Sequence, residues 1–179
     1  MREPTKGSAG VGRNTALISL AIAAVLTFCF WPKAEATPDQ ATAELNKLVA
    51  IAGGKTPETQ KLIAMDKLLK LGTTAGRNAL KDLCDNADEK TAIRAMGALS
   101  RGDFSGARDK LTAIFENANR SDMARTGAMI AWVRLQAADG RTWADIKSYV
   151  KTTSGSNARL QHEWAALKAK YWAQEVDNG

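Results

Sequence analysis

The spacing of one short pattern constrains the fold of this chain more than any other feature. An alanine followed by methionine, with a large apolar residue four positions after the alanine, occurs at Ala64, Ala95 and Ala128. The steps between these alanines are 31 and 33 residues. A second pattern, Leu-x-x-Leu-Cys-x-Asn-Ala from Leu80, returns 31 residues later as Leu-x-x-Ile-Phe-x-Asn-Ala from Leu111. A period of about 30 residues with two patterns per unit predicts stacked helical hairpins, although an ordinary helical bundle would also contain amphipathic helices.

Residues 88–118 are predicted to form the central hairpin. Asp88 has the side chain of a helix N-cap, and we expect Gly102 to end the first helix and Asp103 or Ser105 to begin the second. Each helix carries its apolar residues on one face: Ile93, Met96 and Leu99, then Leu111, Ile114 and Phe115. One hairpin cannot bury these faces alone, so it needs similar hairpins on either side.

The same start signals predict further helices before and after this hairpin. Capping residues precede apolar stripes at Thr37, Thr56, Thr73 or Thr74, Ser121, Thr142 and about Asn157. In the helix after Thr56, the spacing predicts that Leu62, Met65, Leu68 and Leu69 face inward. Because alanine and leucine are frequent and β-branched runs are missing after the N-terminal segment, the sequence predicts an all-α fold for residues 37–179.

The N-terminal segment, residues 1–36, is predicted to be a secretory signal peptide. Three basic residues precede a run of 17 uncharged residues at positions 15–31, which Pro32 ends. Small residues at Ala34 and Ala36 then match the positions that a signal peptidase reads. Cleavage after Ala36 would leave a mature chain that begins at Thr37.

An uncleaved membrane anchor is the alternative for this segment. Its 17 residues are near the lower limit for a spanning helix, which needs about 20, and Phe30 and Trp31 suit a membrane interface. The positive flank stays inside the cytoplasm in both cases. Either reading therefore predicts that residues 37–179 form one domain outside the cytoplasm, in the periplasm or an equivalent compartment.

The charge of the chain is modest. The formal net charge is +6, and residues 37–179 contribute +4 of it, from 21 basic and 17 acidic residues. These charges alternate in sign along the predicted helices, which is typical of a solvated surface. Export and the small net charge both argue against a nucleic-acid partner.

No set of residues in the sequence specifies a reaction. His162, beside Glu163, is the single histidine, and adjacent helical residues point about 100° apart, so they do not form a dyad. Cys29 and Cys84 are too few for a disulfide framework or a metal cluster. We therefore expect no catalytic residues, no metal site and no cofactor, and the sequence shows no small-molecule substrate.

The central unit resembles the short HEAT-type repeats named after phycobilisome lyases. Their first helix often reads Asp-x-x-x-x-Val-Arg-x-x-Ala-x-x-Ala-Leu, and the segment from Asp88 through Ile93-Arg94 to Leu99 is similar to it. The resemblance covers about residues 57–171, with arginines recurring at Arg125 and Arg159. Other units depart from it, since Lys61 lies near the place of the arginine and the last unit lacks a second helix. The resemblance implies a right-handed α-solenoid that binds other proteins.

In solenoids of this family the second helices tend to line the concave, partner-binding side. Carried over to this sequence, that implicates Arg77, Lys81, Arg108, Lys110, Lys147 and Lys151. We accordingly expect a non-catalytic interaction scaffold for a protein with an acidic surface. The alternatives are a helical enzyme or accessory subunit of the cell envelope, and a structural part of a membrane complex tethered by residues 15–31. Four tryptophans after residue 36 lie in the C-terminal half, where they either pack in the core or form an exposed aromatic patch.

Overall fold

The computed structural model describes residues 37–102 and 106–175, and within them every regular element is an α-helix. The helices are α1 (Pro38–Gly53), α2 (Glu58–Lys70), α3 (Thr74–Asn86), α4 (Glu89–Leu99), α5 (Ala107–Glu116), α6 (Asp122–Ala138), α7 (Trp143–Ser154) and α8 (Ala158–Tyr171). The expectation of an all-α fold is therefore confirmed for this part of the chain. The predicted signal or anchor at residues 1–36 and the predicted helix start at Asp103 or Ser105 lie outside the described residues.

Side-chain caps begin most of the helices, as the sequence predicts. Asp88 accepts a hydrogen bond from the backbone N–H of Thr91 at 3.1 Å, and Ser121 accepts one from Ala124 at 3.1 Å. Thr142 forms a capping box with Asp145, in which each side chain accepts from the other residue's backbone N–H. These bonds satisfy donors that helix geometry leaves without intrahelical partners.

The first helices of successive units contact one another in order. Helix α2 packs on α4, α4 on α6, and α6 on α8. Helices that are consecutive in sequence but belong to different predicted units also pack together. Helix α3 packs closely on α4, and α5 packs closely on α6. The most extensive contacts of α4 are thus with α3 and α6, and not with α5, the helix that the sequence assigns to the same hairpin.

A polar contact repeats along this series of first helices. The acidic first residue of each of α2, α4 and α6 makes a polar contact with the next first helix or its cap. Arg94 of α4 pairs with Glu58 of α2, and Ser121, the cap of α6, donates to Glu89 of α4. Asn157, the cap of α8, donates to Asp122 of α6 at 2.7 Å. The contact recurs at the period of the sequence pattern.

Small residues allow the first helices to approach closely. Ala64, Ala95 and Ala128 are all buried. On α6, a Cβ placed on Gly127 would lie 3.0 Å from Cγ1 of Ile93 on α4, so glycine is the residue that fits this crossing without displacing Ile93.

The core is continuous through the units, and it departs from the predicted pattern mainly on α2. Met96, Leu99, Leu111 and Phe115 are fully buried, as expected. Leu62, which the spacing places inward, is 39% exposed, and the preceding Lys61 is buried in its stead. The inward face of α2 is rotated by about one residue because Lys61 reaches α4, where its ammonium group donates to Thr91 Oγ1 at 2.8 Å.

Two expected boundary signals also differ. Helix α4 ends at Leu99 with Ser100 as its C-cap, so Gly102 lies two residues after the cap, whereas Gly72 and Gly140 directly follow their caps with φ of 64° and 72°. Helix α2 begins one residue after Pro57, which has no side-chain cap. The hydroxyl of Thr56 instead donates to the carbonyl of Ile51 at 2.8 Å, at the end of α1.

No helix among the described residues combines the length and apolar character needed to cross a membrane.

Candidate interaction surfaces

The six predicted partner-binding residues lie on the second helices. Arg77 and Lys81 are half-buried on α3, and a Cβ on Gly106, just before α5, would lie 2.6 Å from Nζ of Lys81. Lys81 therefore extends from α3 to the start of the next second helix. The other four residues are Arg108 and Lys110 on α5, and Lys147 and Lys151 on α7.

The charges on α5 are compensated within the chain. Lys110 forms an ion pair with Asp85 of α3, and Arg120 pairs with the other oxygen of the same carboxylate at 2.6 Å. Arg108 pairs with Asp139, at the end of α6. Arg108 and Lys110 thus have acidic partners of their own, which lowers the positive potential that they offer to another molecule.

The second helices are also linked by a repeated polar contact. Asp85 of α3 and Glu116 of α5 lie 31 residues apart in sequence, and each accepts from the following second helix. For Asp85 the donor is Lys110, and for Glu116 it is the hydroxyl of Tyr149 on α7, at 2.9 Å. Burial, followed by the bond to Glu116, raises the pKa of Tyr149 to about 12, so its phenol stays protonated at neutral pH and keeps donating.

Helix α7 carries two of the basic residues in a different setting. Lys147 is half-buried and Lys151 is exposed, and their spacing of four residues places them on one side of the helix. Lys151 lies in the last turn, where a cation interacts favourably with the helix dipole. Unlike Arg108 and Lys110 on α5, Lys151 forms no ion pair with the described residues.

Most of the C-terminal tryptophans are core residues. The indole rings of Trp143 and Trp164 stack at a centroid distance of 5.4 Å, and Trp172 packs against Trp143 at 5.8 Å. Trp132, Trp143 and Trp172 are buried and Trp164 is half-buried. The first of the two interpretations, core packing, therefore describes them better than an exposed aromatic patch.

The surface of the described residues includes a groove and a pocket of different character. A groove of about 380 Å³ lies between α1 and α3, with Val49 and Ala79 on its apolar side. Asn78, Asp82 and Asn86, each four residues apart on α3, form its polar side.

The second site is a pocket of about 230 Å³ between α6 and α7. It is lined by Trp132, Gln136, Arg141, Asp145, Ile146 and Tyr149. The rings of Trp132 and Tyr149 meet at a centroid distance of 4.8 Å. We refer to this site as the α6–α7 pocket.

The sequence did not single out the polar members of the α6–α7 pocket. Gln136 interrupts the apolar stripe of α6 one turn after Trp132. This polar residue at an apolar position is the one feature of the sequence that could have indicated the pocket. Arg141 and Asp145 resemble ordinary turn and capping residues. Asp145 does act as a cap, and the bonds to its carboxylate from the backbone and side chain of Thr142 lower its pKa below the ordinary value of 3.8.

The groups with chemical reactivity are dispersed. Burial raises the pKa of the Cys84 thiol to about 12, so the reactive thiolate is scarce at neutral pH. His162 is exposed on α8. Within the described residues, no group of three or more acidic, histidine or cysteine side chains could hold a metal ion.

Comparison of the chain with protein-family models, with characterised proteins and with solved structures found no significant match.

Proposed function

We propose that residues 37–179 act as a protein-interaction scaffold without catalytic activity, and that they form a short right-handed α-solenoid of HEAT-like hairpins. One observation carries the proposal: α2, α4, α6 and α8 contact one another in order, while the acidic first residue of α2, α4 and α6 makes a polar contact with the next first helix or its cap. Repeating units that contact only their neighbours are typical of solenoids, whose extended surfaces bind other proteins.

The proposed binding surface is the row of basic residues on the second helices, and α7 is its strongest part. Arg108 and Lys110 have acidic partners within the chain, so they position helices more than they attract a partner. Lys147 and Lys151 share one side of α7, and Lys151 is exposed in its last turn. An acidic protein surface would gain association rate and orientation from such a cluster.

For localisation, we propose that the domain lies outside the cytoplasm. The support is the order of basic residues, uncharged run, Pro32 and small residues in the sequence. N-terminal sequencing of the protein purified from its native envelope tests this. A mature chain that begins at Thr37 supports cleavage, and an intact N-terminus that fractionates with membranes supports an anchor. An intact chain in the cytosolic fraction would contradict both.

Affinity capture at two salt concentrations tests the proposed binding. The full chain is immobilised and incubated with extract of the native envelope, and the captured proteins are quantified by mass spectrometry. We expect an acidic protein whose capture falls as salt rises, because surface charges are screened over about 8 Å at physiological ionic strength. Capture of no protein above the background of a blank resin would argue against the scaffold function.

A further inference from the structure

The α6–α7 pocket is lined by a largely buried glutamine whose carboxamide has no hydrogen-bond partner among the described residues. Gln136 is 5% exposed, and its side chain is one of those lining the pocket. Among the described residues, its carboxamide forms no hydrogen bond, and only its backbone carbonyl is used, by the N–H of Arg141 at 3.0 Å. The carboxamide atoms keep some contact with solvent, so a ligand that enters the pocket can complete their hydrogen bonds.

The rest of the inner wall is apolar. Trp132 and Ile146 are 7% and 3% exposed, and the ring of Tyr149 lies against Trp132. The hydroxyl of Tyr149 is already engaged with Glu116, so Tyr149 offers the pocket its ring. The site therefore combines three apolar walls with one carboxamide, which is both a donor and an acceptor.

The size of the pocket limits what it can hold. Its volume of about 230 Å³ is below the range of about 300–1,000 Å³ typical of sites for drug-sized ligands. One amino-acid residue fits this space better than a cofactor. A sugar ring fits the chemistry poorly, because most of its hydroxyls would face apolar walls without partners.

We propose that the α6–α7 pocket binds one residue of a peptide segment, with an apolar side chain against Trp132, Ile146 and Tyr149 and a backbone amide paired with Gln136. This inference rests on the proposed function, because the peptide segment would belong to the protein partner. An amide is the natural complement of Gln136, since each presents one N–H side and one C=O side.

Charges near the rim favour an acidic residue beside the apolar one. Arg141 and Asp145 line the pocket. Arg141 supplies its cation, while the carboxylate of Asp145 already accepts the N–H of Thr142 at 2.9 Å. The preferred ligand is a segment in which a leucine-like residue follows an aspartate or glutamate.

The test uses the full chain, labelled with ¹⁵N, and three blocked probes: N-acetyl-leucinamide, N-acetyl-aspartyl-leucinamide and N-acetyl-lysyl-leucinamide. We expect the side-chain amide of Gln136 and the indole N–H of Trp132 to shift on titration, with the aspartyl probe binding most tightly. N-acetylglucosamine is the competing ligand class. Equal or larger shifts with this sugar, or no shift with any peptide probe, would overturn the proposal.

Gln136→Leu separates binding from folding. It keeps a side chain of similar size and removes the carboxamide, so we expect affinity for the leucinamide probes to fall about fivefold, the order expected for one hydrogen-bonded pair. The midpoint of thermal unfolding should stay close to that of wild type, since the carboxamide makes no hydrogen bond to the described residues. Unchanged affinity in a folded Gln136→Leu variant would contradict the proposed role of Gln136.

Gln60→Leu is the matched control, because Gln60 is exposed on α2, away from the pocket. It should leave probe affinity unchanged, and an equal loss in this variant would also contradict the proposal. If the peptide probes do not bind, the salt-dependent capture of a partner still tests the proposed function separately. Probe binding without any captured partner would instead argue against the scaffold function.

Discussion

The ammonium group of Lys61 donates a hydrogen bond of 2.8 Å to the hydroxyl of Thr91, and both side chains are buried between α2 and α4. Asp88, the cap of α4, lies 3.6 Å from the same ammonium group. A charge on one first helix is therefore held by the first turn of the next. This contact joins two successive units, and its energetics test how the units are held together.

Lys61→Met and Thr91→Val are expected to differ in effect. Thr91→Val removes the hydroxyl but leaves the buried ammonium group, so it should reduce the free energy of unfolding by about 1–3 kcal/mol. Lys61→Met keeps an unbranched side chain and removes the charge, so it should cost less. Urea unfolding of both variants and the double variant measures the coupling. Additive effects in the double variant would show that the two side chains do not interact.

Two helical glycines are expected to respond to alanine in opposite directions. A Cβ on Gly76 would lie 2.6 Å from the backbone carbonyl oxygen of Leu68, so Gly76→Ala should destabilise the protein by about 1–3 kcal/mol. A Cβ on Gly97 meets nothing within 4 Å, and Gly97→Ala should stabilise α4 by about 0.5–1 kcal/mol. Thermal and urea melts of the two variants check this. A stabilised Gly76→Ala variant would show that α3 does not approach α2 so closely.

Core truncations test the predicted register of the repeat. Leu99 and Leu111 are fully buried, and Leu99→Ala and Leu111→Ala should each cost about 2–5 kcal/mol. Leu62, at 39% exposed, provides a control of the same chemistry, and Leu62→Ala should cost clearly less. Urea melts measure all three. Losses below about 0.5 kcal/mol for the two buried leucines would place them on the surface.

Acid should weaken the contribution of the Asp88 cap. Bonds from the side chain and backbone N–H of Thr91 lower the pKa of Asp88 below its ordinary value of 3.8. A carboxylate whose pKa is lower in the folded than in the unfolded state stabilises the fold at pH values above its unfolded pKa. This stability is lost as pH falls through the folded pKa. The urea midpoints of wild type and Asp88→Ala should therefore differ at pH 7 and converge as pH falls below 3.8. A difference that persists unchanged in acid would show that the charge of Asp88 contributes nothing.

The features that the sequence predicted well are local ones. Caps such as Ser121 and Thr142 depend on residues within one helical turn, so their pattern can be recognised without tertiary information. The burial of Met96 and Leu111 follows from helical periodicity and from the need to cover an apolar face. The described helices therefore lie close to where the sequence places them.

The features that it missed depend on neighbours distant in sequence. Lys61 is buried only because Thr91, 30 residues later, provides an acceptor, and a lysine is ordinarily a surface residue. The basic row looked like a line of equivalent charges, yet Lys110 faces Asp85 across two helices. The α6–α7 pocket arises from the side chains of two helices and a turn, and no single helix pattern encodes it.

The central claim, that the basic side of the second helices binds an acidic partner, is tested most directly by matched charge reversal. One variant combines Lys147→Glu and Lys151→Glu on α7, and the control combines Lys67→Glu and Lys70→Glu, two exposed lysines in the last turn of α2. Both variants lower the net charge equally, so general electrostatics affect them alike.

The measurement is partner capture by wild type and by both variants, each shown to be folded by circular dichroism, at low and high salt. We predict that the α7 variant loses most of its capture and most of its salt dependence, while the α2 control resembles wild type. Equal capture by the wild type and a folded α7 variant would contradict the claim.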